Sequence, residues 1–531
     1  RQLRRWWMPA AAGVVVLASL TAGLWVANRE RRIAERRFTD VRQLANRLFD
    51  IDVQVAQLQG GSKTRQLIVD TALEYLKRVS ADVRMEPALA LELGTAYMRV
   101  ARVQGVNISP NLGQTVQADR NAEKAQELIA SVLGSEPRNR TAILRAGQIA
   151  HDRMILASDA GHSGEELRFA RTAVEHFNQY LSLGPLNASS DRLDAQQVII
   201  GLINAANHYM RADKFDDALA IAGRAIDIAH ATNWPTQAGA ALMIVAMSHR
   251  ARGELDSALQ AIQESVRVLK PEEGETRTGR VQPYGLALIR EGQILGEDQA
   301  ISLNRPEEAI ARIQLALRLG EPFARRDPTD FQSQYRIFYS ATKLAAIVRH
   351  KDPARAVELY DDALRRIAGA KDNGSTLRNQ TGALAASVYP LLQLGRRAEA
   401  RRRLDQALDL LARQKQYPAA QVELDSPADD TLRALAEYEA SRGNLARGIE
   451  RYDELMRLIL AAGPKPESRL EDAVSLSNLY SAAAHLHRRA GRSKSAAGLE
   501  ERRRELWRRW DTRLPNNAFI RRQLEASRLP S

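Results

Sequence analysis

The chain has 531 residues, a formal charge of +13, no cysteine and few aromatic residues. The length exceeds what one hydrophobic core usually supports, and the lack of cysteine excludes disulfides, zinc ribbons, thiol catalysis and Fe–S ligation. Ala, Leu and Arg dominate and no sustained Val/Ile/Thr/Tyr alternation marks a sheet, so an all-α chain is expected.

The positive excess lies mainly at the two ends, in Arg1, Arg4, Arg5, Arg29, Arg31, Arg32, Arg36 and Arg37 and again in Arg502, Arg503, Arg504, Arg508, Arg509 and Arg513. The middle is nearly balanced. With no binding motif beside the charge, a nucleic-acid partner is not expected. The nine His are scattered and no His-Glu-x-x-His occurs, so neither a metal nor a cofactor is expected.

Residues Met8 to Ala27 read MPAAAGVVVLASLTAGLWVA without a charge. At about 1.5 Å per residue such a helix crosses the ~30 Å hydrocarbon layer, and Trp6, Trp7 and Trp25 sit near its ends, where indoles favour the interface. A signal peptide would have a shorter apolar stretch, about 7–15 residues, and a small-residue cleavage site. The expected organisation is a basic cytoplasmic-side flank at 1–7, a transmembrane helix at 8–28, juxtamembrane helices at 29–84, a TPR-like array at 85–500, and a capping helix and tail at 501–531. The Arg count beside the span points the array inward. The chain opens on Arg1 rather than Met, so further residues are expected before it and the inward side is undercounted.

Gly60–Thr64 reads GGSKT, but a phosphate-binding loop needs a different spacing after a strand. A helix break with Ser62 or Thr64 capping the next helix is expected instead.

From residue 85 onward an amphipathic helix, a short polar turn and a second helix with small or aromatic residues at fixed offsets recur, the pattern of a TPR-like α-solenoid. Second helices are marked by Ala125, Ile129 and Val132; by Ala218, Ala222 and Ala225; and by Ala258, Ile262 and Ser265. Further on come Ala356, Tyr360 and Ala363; Ala400, Leu404 and Ala407; and Gly448, Tyr452 and Leu455. Eight or nine hairpins are expected, separated by polar connections at Lys270–Thr278, Gly320–Asp330, Gly369–Thr376 and Ala462–Glu467. Asp216/Asp217, Glu307/Glu308 and Asp361/Asp362 are expected at turns before second helices, complementing the helix dipole. His485 and His487 are two apart on a helix and diverge. Trp507 and Trp510 share one face of an Arg-rich helix that caps the array.

Three stretches go further. Arg36–Val79, Val103–Thr115 (VQGVNISPNLGQT) and Leu506–Arg528 (LWRRWDTRLPNNAFIRRQLEASR) resemble the segment after the membrane helix, the insertion in the first repeat and the closing tail of bacterial receptor-type serine/threonine protein kinases with C-terminal TPRs. The resemblance implies the non-catalytic anchor and sensor half of such a kinase, in the inner membrane with the array extracytoplasmic. No Gly-rich loop, Val-Ala-Ile-Lys, His-Arg-Asp, Asp-Phe-Gly or Ala-Pro-Glu occurs, so no kinase residue carries over and no catalytic site is expected in this chain.

First helices of TPR hairpins line a concave groove that takes extended peptides. By register, the groove candidates are Asn207, Met243, Met247, Arg250, Tyr389, His485 and Arg488. Met adapts to varied apolar partners, and Arg clamps carboxylates. The expected partners are a protein or peptide in the groove, the membrane, and a second copy of the chain. The rival readings are a free-standing membrane-tethered scaffold, such as an envelope-assembly factor, and an α-helical enzyme whose site no motif reveals.

Overall fold

The computed structural model describes residues 62–81, 86–107, 111–184, 191–275, 277–368 and 374–528. The expected membrane span at 8–28, its basic flanks and the juxtamembrane residues before Ser62 lie outside them. Among the described residues no helix is long and apolar enough to cross a membrane.

The described residues form twenty helices and no strand. Helix α1 (Ser62–Ala81) precedes the hairpins α2 (Pro87–Gly105) with α3 (Thr115–Ser135) and α4 (Arg140–Asp159) with α5 (Ser163–Ser182). Next come α6 (Asp191–Arg211) and α7 (Phe215–Ala231), then the pairs α8 (Pro235–Ala251) with α9 (Leu255–Leu269) and α10 (Thr278–Gly296) with α11 (Pro306–Arg326). The series continues with α12 (Phe331–Val348) and α13 (Pro353–Ile367), and with α14 (Gly374–Gln393) and α15 (Arg397–Arg413). It closes with α16 (Pro427–Ser441) and α17 (Leu445–Ala461), α18 (Leu470–Arg489) and α19 (Ser493–Arg513), and a last helix, α20 (Ala518–Ala526). The chain divides into two compact units, Arg1–His208 and Tyr209–Ser531, with the division inside α6. Each unit is an all-helical, TPR-like stack.

The hairpins form because the second helices bury a narrow stripe of small residues on both neighbours. Ala218, Ala222, Ala225, Ala258, Ala356, Ala363, Ala400 and Ala407 are fully buried, with Tyr360 and Tyr452 filling the space between them. Close approach needs small residues at these offsets, and a β-carbon contact repeated along the helix is what the stripe supplies. Several of the turns from first to second helix contain a left-handed residue. In the α8–α9 turn this is Gly253 at φ +80°, with its N–H on Arg250 O at 2.9 Å and the N–H of Glu254 on His249 O at 2.9 Å. Those bonds satisfy the last carbonyls of α8.

First helices start at residues 87, 140, 191, 235, 278, 331, 374, 427 and 470, at intervals of 43 to 53 residues. Part of the excess over a minimal repeat is a hairpin insertion, of which the described residues show these two. After α2, Leu112 and Gln114 return their N–H groups to Val103 O and Gln104 O at 3.0 and 2.8 Å. After α10, Leu303 and Arg305 do the same to Ile294 O and Leu295 O at 2.9 and 2.7 Å. Both insertions follow a glycine, Gly105 or Gly296, where an added Cβ would come within 2.8 Å of the backbone that opens the second helix.

Two expectations need correction. The break placed at Gly320–Asp330 starts later, because α11 runs on to Arg326 through Pro322. Asp361 and Asp362 are not at a turn; they lie within α13, where Asp361 pairs with Arg403 and Asp362 with Arg366. Asp216/Asp217 and Glu307/Glu308 do occupy first turns of second helices, α7 and α11.

The second unit closes on itself. One hydrophobic core joins Met243, Leu255, Ile262 and Leu288 of α8–α10 to Leu470 and Val474 of α18, Trp507 and Trp510 of α19, and Phe519 and Ile520 of α20. Trp507 meets Phe519 edge to face at 6.0 Å and donates its Nε1–H to Ser477 Oγ at 2.9 Å. Polar contacts follow the same seam: Asn478 donates to Gln299 O at 2.8 Å and Arg522 to Ser302 O at 2.5 Å. The aromatic face of the capping helix therefore covers the early hairpins of this unit as well as α18.

Candidate binding trough

In the second unit, first helices meet one another along one face: α8 touches α10, α10 touches α12, and α14 touches α16. Their polar side chains converge on a trough with two electrostatically different parts.

The first part is built on the insertion after α10. Glu297 accepts hydrogen bonds from Lys343 Nζ of α12 at 2.6 Å, from Arg250 Nη2 of α8 at 2.6 Å and from Gln293 Nε2 at 3.0 Å. Burial pushes its carboxyl up, but the Lys343 ammonium and the Arg250 guanidinium overcome this and hold it well below the carboxylate range. Arg250 also donates Nε–H to Ile301 O at 2.7 Å. The neighbouring Asp298 takes Arg349 Nη2 at 2.6 Å and the His350 ring at 3.0 Å; these partners likewise outweigh burial and lower its pKa. Two carboxylates thus bind three donor side chains from three first helices and two from the turn after α12, and their own charge is neutralised.

The second part is acidic. Arg433 of α16 is bidentate to Asp429, at 2.6 and 3.0 Å, while Asp425 takes the Ser475 hydroxyl at 2.6 Å. Asp430 reaches across to α14, where a Cβ at Gly382 would stand 3.8 Å from its Oδ2. Its carboxylate has solvent access yet makes no side-chain hydrogen bond among the described residues. Enclosure by the trough walls, then the charges of Asp429 and Asp425, push it up to about 7 against the opposing pull of Arg433. Tyr389 of α14 lies half-buried between the two parts, with the Arg349 guanidinium 5.0 Å over its ring. Glu437 accepts the Tyr452 hydroxyl at 2.8 Å, and His485 stands close enough to stabilise its charge.

Of the residues read from sequence as groove candidates, the structure brings Arg250, Tyr389 and His485 to this trough. Met247 is half-buried, one helical turn from Arg250. Met243 is a core residue, 9% exposed, packed with Leu255 and Trp507. Arg488 reaches Glu500 of α19 at 3.5 Å, within its own hairpin. His485 is exposed and His487 buried, so the two diverge. Asn207 belongs to the first unit and is half-buried there.

Sequence reading missed Glu297, Lys343, Arg349, Asp430 and Arg433. A usable signal was Lys343 inside the apolar and small-residue run SATKLAAIV, where a charge on a packed helix needs a partner. The first unit has its own polar line across first helices. Arg102 Nε donates to Asp152 at 2.5 Å, Asp152 contacts His151 Nδ1 at 3.1 Å, and His151 Nε2 meets Asn204 Nδ2 at 2.9 Å. A ring protonated on Nδ1 satisfies both contacts. Among the described residues no group of His, Cys, Asp and Glu has the geometry to hold a metal ion.

No family model matches the chain, and no curated protein does. Solved structures similar to it include a Rap protein complexed with competence and sporulation factor, at 15% identity and TM-score 0.42 over 79% of this chain and 98% of that one. The apo form of RapI gives 12% and 0.46 over 79% and 97%. Aspartyl phosphate phosphatase F from Bacillus subtilis gives 11% and 0.45 over 78% and 94%. None of these likenesses carries an inference about a partner or an activity.

Proposed function

We propose that this chain is a membrane-tethered interaction and sensing region that holds an extended, cationic protein segment in the trough of its second unit. The observation that carries the reading is Asp430. In a chain of net charge +13, the trough presents a carboxylate that has no ion pair or side-chain hydrogen bond among the described residues, beside Asp425 and Asp429 and next to the aromatic wall of Tyr389. A Lys or Arg of a bound segment supplies the missing counter-charge, and the ring covers its methylene stem. The paired part around Glu297 fixes the helices that frame this site.

Two further elements of the reading rest on sequence. The tether is the apolar run 8–28. The attachment to a receptor-type serine/threonine kinase, with the array outside the cytoplasm, rests on the resemblance of Arg36–Val79, Val103–Thr115 and Leu506–Arg528 to that family. On this reading the array signals by engaging a partner or a second copy, which draws the membrane-proximal ends together. A kinase-encoding sequence in frame before Arg1 supports the receptor reading. A start codon there favours the free-standing scaffold. A reporter fused after Ser531 reads the side of the membrane.

The direct test is binding of charge-defined peptides by fluorescence anisotropy. Arg- and Lys-containing extended peptides should bind, and Asp430→Asn should weaken them about tenfold, or ~1.4 kcal/mol. Equal binding of acidic peptides, or an unchanged affinity in the variant, rules the trough out as a cation-selective site.

A further inference from the structure

The seam where the second unit closes lines a half-open cavity of about 330 Å³, separate from Asp430. One wall comes from the beginning of the unit, with Phe215 and Ala251; the other comes from its end, with Leu470, Trp510 and Leu514. The lining is mixed: these five apolar residues, Ser468 and six ionisable side chains share it.

Four of those six are committed to one another or to neighbours. Arg469 pairs with Asp213 at 2.8 Å. Arg252 pairs with Glu254 at 2.9 Å and with Asp216 at 2.7 Å. The other two are not. Glu471, in the first turn of α18, makes no hydrogen bond or ion pair among the described residues. Arg513 lies over the Trp510 ring at 5.2 Å and gives one N–H to Glu467 O, so most of its five donors have no acceptor among the described residues. The cavity thus offers a carboxylate and a guanidinium that are in no ion pair among the described residues, and an apolar surface between walls from opposite ends of the chain segment.

We infer that this cavity is a binding site for a free α-amino acid with an apolar side chain. The α-ammonium group pairs with Glu471 and the α-carboxylate with Arg513, which suits bidentate recognition of a carboxylate. The side chain rests on Phe215, Leu470 and Leu514. The volume is at the small end of ligand pockets, which run from about 300 Å³ upward, and so fits a single amino acid better than a long peptide. Because its walls come from both ends of the closed unit, an occupant bridges the seam and stabilises closure by mass action. This site is independent of the trough: Asp430→Asn leaves it intact, and it stands or falls without the peptide reading.

The test is isothermal titration of the full chain with L-leucine, leucinamide and 4-methylpentanoate, with the melting temperature followed in parallel. Leucine should bind saturably and raise the melting temperature, and each analogue, lacking one charge, should bind at least about tenfold more weakly. Glu471→Gln should cost leucine about tenfold in affinity, and Ser468→Phe, a bulky group at the exposed mouth, should abolish binding. If either variant fails to fold, the analogue series on the unaltered chain decides alone. Absence of saturable binding at millimolar leucine overturns the inference. So does equal affinity for either analogue, or an unchanged affinity in a folded Glu471→Gln variant.

Discussion

Asn517 donates its side-chain amide to the carbonyl of Gly253 at 2.9 Å, across 264 residues of sequence. The same side chain caps α20, accepting from the N–H groups of Phe519 and Ile520 at 3.0 and 3.2 Å. One residue thus starts the last helix and ties it to the turn between α8 and α9. In an open solenoid each repeat touches only its neighbours and stability is nearly a sum of local terms. Closure removes that independence. Asn517→Ala should destabilise the second unit by about 1–3 kcal/mol, from the lost cap and the buried carbonyl left unpaired. Urea unfolding reads the loss, and hydrogen exchange should quicken at Gly253 and Glu254 as well as in α20. Exchange that changes only in α20 would show that the seam does not couple the two ends.

In the first unit, Phe177 is wedged between two glycines. A Cβ on Gly147 of α4 would lie 2.7 Å from its Cε1, and one on Gly201 of α6 would lie 2.4 Å from its Cε2. Gly→Ala in a helix interior ordinarily stabilises by up to ~1 kcal/mol. Here the ring cannot retreat from one helix without striking the other, so Gly201→Ala should destabilise by about 1–3 kcal/mol instead. Phe177→Ala should cost about 3–5 kcal/mol through the cavity it leaves. Combining Gly201→Ala with Phe177→Leu should recover part of the loss. A stabilising Gly201→Ala measured by thermal unfolding would show that the helices re-space freely.

The second helices were the legible part of this chain. Small residues at fixed offsets are a local, periodic signal, and the stripes from Ala125–Val132 to Gly448–Leu455 are buried as that period requires. The first helices were harder to read. Their trough-facing positions are polar and their packed positions apolar, yet both kinds carry Met, Tyr and Arg, so Met243 and Arg250 look alike in sequence although one is core and the other binds Glu297. The insertion at Val103–Thr115 was visible in sequence, whereas its counterpart at 297–305 was not, because no Pro or Asn cluster marks it. Closure was illegible for a different reason: Asn517, Asn478 and Arg522 find backbone carbonyls, and a carbonyl has no sequence signature.

Glu297 and Asp298 predict the acid limb of stability. Both carboxyls sit below their ordinary values of 4.5 and 3.8 when folded. A depressed pKa means the unfolded chain takes up protons first as pH falls. The stabilisation is therefore complete above about pH 5 and is lost progressively below it. Glu297→Ala leaves Lys343 and Arg250 facing each other without a counter-charge and should cost about 3–5 kcal/mol at neutral pH. Glu297→Gln should in addition flatten the acid limb, because the group that takes up the proton is gone. An acid limb of unchanged slope in Glu297→Gln would locate the sensitivity elsewhere.

Asp430 has the opposite sign. Its carboxyl rises from 3.8 to about 7 on folding, so between those values the native state holds a proton that the unfolded chain has released. Stability then falls as pH rises across that window and is flat above it. Asp425 shifts the same way, with burial as the main cause, and Asp429, Arg433, Lys343, Tyr389 and the buried Tyr360 are the other charged or titratable groups facing the site. Asp430→Asn keeps the side chain's shape and removes the charge. It should stabilise the second unit at pH 8, leave it unchanged near pH 4, and abolish the part of the slope between them that Asp430 contributes. The same substitution weakens cationic peptides in the trough, so stability at pH 8 and affinity should move in opposite directions. A variant that loses both would mean that Asp430 holds the helices together, and that its exposed carboxylate is a structural group rather than a site for a partner's cation.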